Sequence, residues 1–111
     1  MGLFSKKEYV YSNTKYSELL PVGTIVKLNN YDGIFMIFNY RGFVKSKEDK
    51  NTYFEVDYWC IPYPLGDTGG IKEPIPVRHN EITNIIFEGY KNSQRNEIMF
   101  NLDKIMEEKN G

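Results

Sequence analysis

The chain has 111 residues, of which 41% are apolar and 15% aromatic, and its 14 basic and 15 acidic residues leave a net charge of −1. A chain of this length folds as one domain with its own core, and this apolar content excludes a wholly disordered protein. Because there is no overall positive field, the sequence does not predict binding to a phosphate backbone, and we expect no nucleic-acid partner.

Cysteine usage and hydropathy indicate where the protein resides. Cys60 is the only cysteine, so an internal disulfide and a cysteine pair for a metal are both excluded. No apolar run approaches the roughly 18–20 residues of a membrane span, and the first residues lack the apolar core of a secretory signal. We therefore expect a cytoplasmic protein with no membrane association and no cofactor.

The first half of the chain predicts an arm followed by strands. Residues 1–17 are polar and tyrosine-rich without a sustained period, which indicates a loose N-terminal arm with a short strand at Glu8–Tyr11. Residues 18–111 are predicted to form a single α+β domain. Within it, Thr24–Leu28 alternates as a strand does, and Ile34–Tyr40 is an apolar run short enough for a central strand.

The middle of the chain predicts one aromatic strand and one long loop. Arg41-Gly42 indicates a bulge or kink, and Lys45–Asn51 is a solvated hairpin loop. Tyr53–Ile61 is rich in aromatic and β-branched residues and predicts the central strand of an antiparallel core. Residues 62–76 hold four of the five prolines and three of the nine glycines, a composition that predicts irregular structure.

The last third predicts a strand and a helix. Ile82–Phe87 is the strand, and Ser93 can cap a helix that continues to Glu108. The helix carries an apolar stripe formed by Ile98, Met99, Leu102, Ile105 and Met106. We expect one apolar cluster built from Ile25, Ile37, Phe87 and Leu102. The predicted fold is α+β: a strongly bent antiparallel sheet or small open β-barrel of four to five strands, with the helix across one face or end.

Few residues offer catalytic chemistry. Cys60 could act as a nucleophile only with a base, and His79 is the only histidine. Cys60 lies in the most apolar strand, however, which is typical of a buried and unreactive thiol. Glu55 and Asp57 alternate with apolar residues, so they fit the polar face of a strand better than a catalytic pair. We expect no catalytic site, no metal site and no enzymatic activity.

Tyrosine-rich strands favour a protein partner, since tyrosine supplies a large amphipathic contact area at low entropic cost. The predicted contact residues are Tyr53, Tyr58, Tyr63 and Leu65, on the exposed side of the aromatic strand and on the loop after it. An alternative is that Tyr63 and Leu65 fold back over a barrel end. A second alternative is binding to a single-stranded nucleic acid through basic side chains near Tyr40 and Tyr53, namely Arg41, Lys45, Lys47 and Lys50.

Four segments together resemble the small bacterial family known as domain of unknown function 4176. They are Leu19–Val26, Phe35–Ile37, Asp57–Gly66 and Val77–Tyr90. The resemblance implies a Gram-positive bacterium and a gene beside type VII secretion genes and their toxins, and it implies no catalytic residues. The resulting expectation is a protein-binding accessory of such a locus, an adaptor or chaperone for a secreted toxin. An immunity protein that occludes the toxin is the alternative.

Overall fold

The computed structural model describes residues 6–64 and 73–110, and in these residues it contains eight strands and one α-helix. The strands are β1 (Glu8–Val10), β2 (Ile25–Leu28), β3 (Ile34–Tyr40), β4 (Phe43–Lys45), β5 (Thr52–Glu55), β6 (Tyr58–Tyr63), β7 (Ile75–Val77) and β8 (Ile82–Phe87). The helix is α1 (Ser93–Asn110), and short 3-10 helices cover Tyr16–Glu18 and His79–Glu81. The α+β class is confirmed.

The strands form two open sheets. The larger sheet has five strands in the order β7-β6-β3-β2-β8, and every neighbouring pair in it is antiparallel. The smaller sheet has three strands in the order β1-β5-β4, with β5 antiparallel to β4 and parallel to β1. The larger sheet matches the predicted open antiparallel sheet, and the smaller sheet adds strands that the sequence pattern did not separate.

The two sheets share one long hairpin that bends sharply. Its first arm passes from β3 into β4 at Arg41 and Gly42, whose φ angles are 57° and 131°. A side chain at Gly42 would place its Cβ 3.0 Å from Nε1 of Trp59, so glycine is required there by both backbone angle and space. The predicted bulge or kink at Arg41-Gly42 is present as a kink, and it is the point where the chain changes sheet.

The second arm of the hairpin corrects the predicted aromatic strand. Instead of one strand over Tyr53–Ile61, the chain forms β5 and β6, separated by Val56 and Asp57. Hydrogen bonds still cross the corner, from Arg41 N–H to the Asp57 carbonyl (3.1 Å) and from Val56 N–H to the Gly42 carbonyl (2.9 Å). Both arms bend together because the ladder between them is maintained.

The proline-rich region is also corrected. Residues 62–76 were predicted to be irregular, yet β6 continues to Tyr63 and β7 begins at Ile75. Pro76 fits in β7 because this is an end strand, where a missing N–H costs no ladder bond on the open side. The glycine-rich tip predicted at positions 66–70 lies outside the described residues.

The core lies on one face of the larger sheet. Its buried side chains are Leu19, Val26, Leu28, Phe35, Ile37, Tyr58, Cys60 and Val77. The buried position of Cys60 is confirmed, as is that of Ile37. The assignment of Phe87 to the core is wrong, because 60% of its surface is exposed. Phe87 belongs to β8, which lies at the edge of the sheet, where the described residues leave its side chain open to solvent.

The C-terminal helix is confirmed, but it buries little of its apolar stripe. Met99 is buried, whereas Ile98 and Ile105 remain about half exposed. Polar contacts attach the helix instead: Asp103 accepts hydrogen bonds from the backbone N–H groups of Tyr16 (2.5 Å) and Ser17 (3.0 Å). The helix thus docks on the first 3-10 turn, and within the described residues no helix has the length and apolar character needed to cross a membrane.

Candidate protein-interaction surface

The predicted contact residues do not share one surface. Tyr53 is half-buried on β5, and Tyr63 is 44% exposed at the end of β6. Tyr58 is completely buried, so its place in the predicted contact surface is corrected: its ring belongs to the core. Leu65 lies outside the described residues. Alternation accounts for the correction, because Tyr58 lies an odd number of positions after Tyr53 and shares the inward side with the buried residues Val56 and Cys60.

Tyr58 has an internal structural role. Its hydroxyl accepts a hydrogen bond from Leu20 N–H at 2.9 Å and lies 2.7 Å from Nδ1 of His79. Burial raises the pKa of Tyr58 well above its usual value, so the hydroxyl keeps its proton while it shares a hydrogen bond with Nδ1. His79 therefore helps to order the turn before β8.

An exposed aromatic cluster covers the outer side of the smaller sheet. We call it the outer aromatic face, and its members are Tyr9, Tyr11, Phe43 and Tyr53. Ring centroids lie 5.0 Å apart for Tyr9–Phe43, 5.4 Å for Tyr9–Tyr53 and 5.6 Å for Tyr11–Phe43. Three of the rings nevertheless keep 40–63% of their surface exposed. Such a cluster is preorganised, because its rings already hold one another in place.

Strand register explains why these rings share a side. Tyr9 stands beside Tyr53 in the parallel pair, and Lys45 stands opposite Tyr53 in the antiparallel pair. Because side chains alternate along a strand, the neighbouring positions Val44 and Phe54 point to the other side. There they line a cavity of about 530 Å³ that also contacts Arg78. The smaller sheet thus has an inner side toward the rest of the protein and an outer side toward solvent.

Lysine side chains give the outer aromatic face a positive rim. The Nζ atom of Lys7 lies 5.7 Å from the ring centroid of Tyr53, a cation–π contact, and Lys45 is exposed beside the same ring. Glu55 is the acidic residue on this side, and it accepts a hydrogen bond from Ser12 N–H at 3.0 Å and lies 4.0 Å from Arg41. The carboxylate of Glu55 is therefore engaged in contacts within the protein, whereas the side chains of Lys7 and Lys45 are exposed to solvent.

A buried carboxylate fastens the N-terminal segment to the corner of the hairpin. Asp57 is 3% exposed and accepts four hydrogen bonds. The donors are the hydroxyls of Ser12 and Thr14 (the latter at 3.2 Å), Nη1 of Arg41 at 2.8 Å and the backbone N–H of His79 at 2.7 Å. Glu55 and Asp57 are thus both engaged in structural contacts. They hold in place the segment that carries Tyr9 and Tyr11.

The candidate nucleophile and base have different partners. Cys60 has no exposed surface, and burial raises the pKa of its thiol to about 12, with a smaller contribution from the charge of Glu81. His79 is bound through its ring to Tyr58 and through its backbone to Asp57. In residues 6–64 and 73–110, no group of three histidine, cysteine or carboxylate side chains is arranged to hold a metal ion.

Sequence reasoning missed three of the four members of the outer aromatic face, namely Tyr9, Tyr11 and Phe43. Tyr53 was predicted as a contact residue, but Tyr9 and Tyr11 belong to the segment interpreted as a loose arm. That segment pairs with β5, and Glu8 N–H donates to the Asn51 carbonyl at 2.7 Å. The predicted strand at Glu8–Tyr11 is confirmed as β1. The repeated Tyr-x-Tyr at positions 9–11 was the available signal, but a three-residue strand is too short to identify its partner.

Comparison with known proteins gives a family and no closer relative. No curated protein and no solved structure matches the chain. A family model matches residues 19–100, a range that includes β2 to β8 and the first part of α1. This match confirms the resemblance indicated by the four sequence segments. The chain belongs to the family described as a domain of unknown function, DUF4176.

Proposed function

We propose that the protein is a non-enzymatic protein-binding accessory of a type VII secretion locus, acting as an adaptor or chaperone for a secreted toxin. The observation that carries the binding role is the outer aromatic face, where four aromatic side chains cluster on an open sheet. The secretion setting rests on what the family resemblance implies about neighbouring genes. Both parts of the proposal point to a protein partner in the bacterial cytoplasm.

The chemistry of the outer aromatic face favours a protein. Exposed tyrosines combine an apolar ring with a hydroxyl that keeps a hydrogen bond when the ring is buried, and they are enriched in protein interfaces for this reason. Because Tyr9 already contacts Phe43 and Tyr53, little side-chain entropy is lost when a partner covers these rings. Lys7 and Lys45 add charge that attracts acidic groups at the rim.

Single-stranded nucleic acid is the second candidate, since lysines beside exposed rings are typical of base-stacking surfaces. Two observations disfavour it. Lys7 lies over the ring of Tyr53, where a base would otherwise stack, and the net charge of −1 gives no overall positive field to attract a phosphate backbone. Titration of labelled single-stranded DNA and RNA at low salt distinguishes the candidates: measurable binding that weakens steeply with salt supports nucleic acid.

Co-purification tests the protein-binding proposal. The tagged protein is co-expressed with each product of its neighbouring genes, and the toxin is expected to co-purify with it. The double variant Tyr9→Ser, Tyr11→Ser should lose the toxin, because it removes two exposed rings from the outer aromatic face. The matched control Tyr31→Ser, Tyr90→Ser removes two exposed tyrosines from other parts of the chain and should retain it.

The outcomes separate the possible roles. Retention of the toxin by the Tyr9, Tyr11 variant, with unchanged melting temperature, contradicts the proposed binding face. Loss of the toxin by both double variants shows that the effect is not specific to this face. If the toxin binds, its enzymatic activity is measured in the complex. Full inhibition supports the immunity alternative, whereas active toxin that becomes more soluble supports a chaperone or adaptor.

A further inference from the structure

The larger sheet ends in β8, an edge strand that carries no charge and no proline, although its pairing with β2 shifts register at two places. Three other strands also lie at sheet edges: β1, β4 and β7. Each has three residues, and each carries a residue that disfavours added strands, namely Glu8, Lys45 and Pro76. In contrast, β8 has six residues, ITNIIF, without a charge or a proline. Among the edge strands of the described residues, β8 is the longest and the only one without a charge or a proline.

The side chains of β8 make this edge apolar on both faces. Ile85 and Ile86 are each 50% exposed, and Phe87 is 60% exposed. Val26 pairs with Ile85 and its neighbour Ile25 pairs with Phe87, with a register shift between the two pairs, so Ile85 and Phe87 lie on opposite faces of the sheet. Within residues 6–64 and 73–110, β2 is the only strand paired with β8, so the opposite backbone edge of β8 is open.

A cavity lies beside the same edge. Its volume is about 400 Å³. It is lined by Leu20, His79, Ile82, Thr83, Asn84 and Ile85. Four of these residues belong to β8, so a strand added along β8 would place a side chain at the mouth of the cavity. The edge therefore offers both backbone groups for pairing and room for a side chain.

We propose that β8 binds an extended segment of another protein, which adds to the larger sheet as a sixth strand. The segment is uncharged over about six residues, because a charge facing β8 would be desolvated without a partner. Lysine or arginine at one end of the segment would lie near Glu81, whereas Glu88 at the other end of β8 already pairs with Lys91 at 2.7 Å. This surface belongs to the sheet that does not carry the outer aromatic face, so the proposal stands independently of the proposed function.

Contact area argues for an extended segment and against a second folded copy. An edge of six residues is roughly 20 Å long, and a sheet with its side chains is about 10 Å thick. Two folded copies meeting along this strip would bury far less than the ~800 Å² per partner that is typical of stable interfaces. An extended segment does not need that area, since its backbone pairs along its full length and its side chains cover both faces of the edge.

A synthetic peptide tests this proposal. The probe is a fluorescent peptide of six alternating threonine and valine residues with two lysines at each end, and its affinity for the full chain is measured by anisotropy. We expect micromolar binding and slower hydrogen exchange at the β8 amides. Ile86→Lys introduces into β8 the type of charge that protects β4, and it should weaken binding at least about tenfold. Ile105→Lys, at an equally exposed isoleucine of α1, should leave binding within about twofold.

Several results would overturn the proposal. One is absence of binding by the wild-type chain up to the solubility limit of the peptide, and another is equal binding by the Ile86→Lys variant. A third is equal binding by a control peptide whose two central residues are proline, because that peptide cannot complete the ladder. Sedimentation of the protein alone tests whether a second copy of the chain occupies the edge instead. A dimer that Ile86→Lys converts to a monomer would assign the edge to that second copy and overturn the proposal.

Discussion

Arg41 and Asp57 form an ion pair, 2.8 Å from Nη1 to Oδ1, at the corner where both arms of the long hairpin change sheet. The two side chains are 14% and 4% exposed, so the pair is largely removed from water. The same guanidinium donates to the Thr14 carbonyl at 2.5 Å and lies 4.5 Å from the ring centroid of Tyr16. The Arg41 side chain thus links three parts of the protein: the corner of the hairpin, the N-terminal segment and the turn on which the helix docks.

Replacing Asp57 by alanine should therefore destabilise the whole domain. The change leaves the buried Arg41 charge and the donors of Ser12, Thr14 and His79 without their acceptor. Loss of one partner from a buried ion pair typically costs about 3–5 kcal/mol in the free energy of unfolding. Urea denaturation monitored by Trp59 fluorescence measures this cost. The control Asp32→Ala, at an exposed turn position, should change it by less than about 0.5 kcal/mol, and a loss below about 1 kcal/mol for Asp57→Ala would contradict the assigned role.

The two phenylalanines Phe35 and Phe87 should respond very differently to truncation. Phe35 is 8% exposed and belongs to the core, so Phe35→Ala should cost about 3–5 kcal/mol of unfolding free energy. Phe87 is 60% exposed on the edge strand, so Phe87→Ala should cost less than about 1 kcal/mol. Chemical denaturation of both variants under the same conditions checks the contrast. Equal losses would show that Phe87 is covered in solution.

Cys60 should react with thiol reagents only when the domain unfolds. The thiol has no exposed surface, and its pKa, raised to about 12 by burial, keeps it protonated at neutral pH. We expect labelling of the native protein between pH 7 and 8 to be at least about 100-fold slower than labelling in urea. The Asp57→Ala variant should label faster, since it unfolds more often. Rapid labelling of the native wild-type chain would instead indicate an accessible thiolate.

Asp103 should control the docking of the helix in a pH-dependent manner. Burial raises the pKa of Asp103, but hydrogen bonds from Ser17 and Tyr16, together with the charge of Lys15, outweigh burial and lower the pKa below its usual value. A carboxylate with a lowered pKa contributes stability above its unfolded pKa of about 4, and this contribution is lost as the pH falls through the folded value.

The variant Asp103→Ala removes that contribution at neutral pH. It should cost about 1–2 kcal/mol and increase hydrogen exchange at the amides of Tyr16 and Ser17, because both lose their acceptor. Hydrogen exchange monitored by mass spectrometry provides the measurement. The matched variant Glu108→Ala, at an exposed position on the same helix, should leave the exchange of these amides unchanged.

The sequence by itself determined the α+β class, the positions of the main strands and helix, the burial of Cys60 and the membership of the family. These properties follow from local periodicity, turn residues and short motifs, which neighbouring residues along the chain express without reference to the rest of the fold. Tyr53 was also predicted as a contact residue because its strand is rich in aromatic side chains, and this stays a prediction.

Only the tertiary structure decided which apolar side chains are covered. Tyr58 and Phe87 lie in equally apolar strands, yet one is completely buried and the other is 60% exposed. Tyr58 lies on the core side of β6, a strand that is paired on both edges, whereas the position of β8 at the sheet edge leaves Phe87 open. The outer aromatic face likewise depends on the pairing of β1 with a strand more than 40 residues away. Periodicity shows that a strand has two faces, but the elements packed against those faces come from distant parts of the chain.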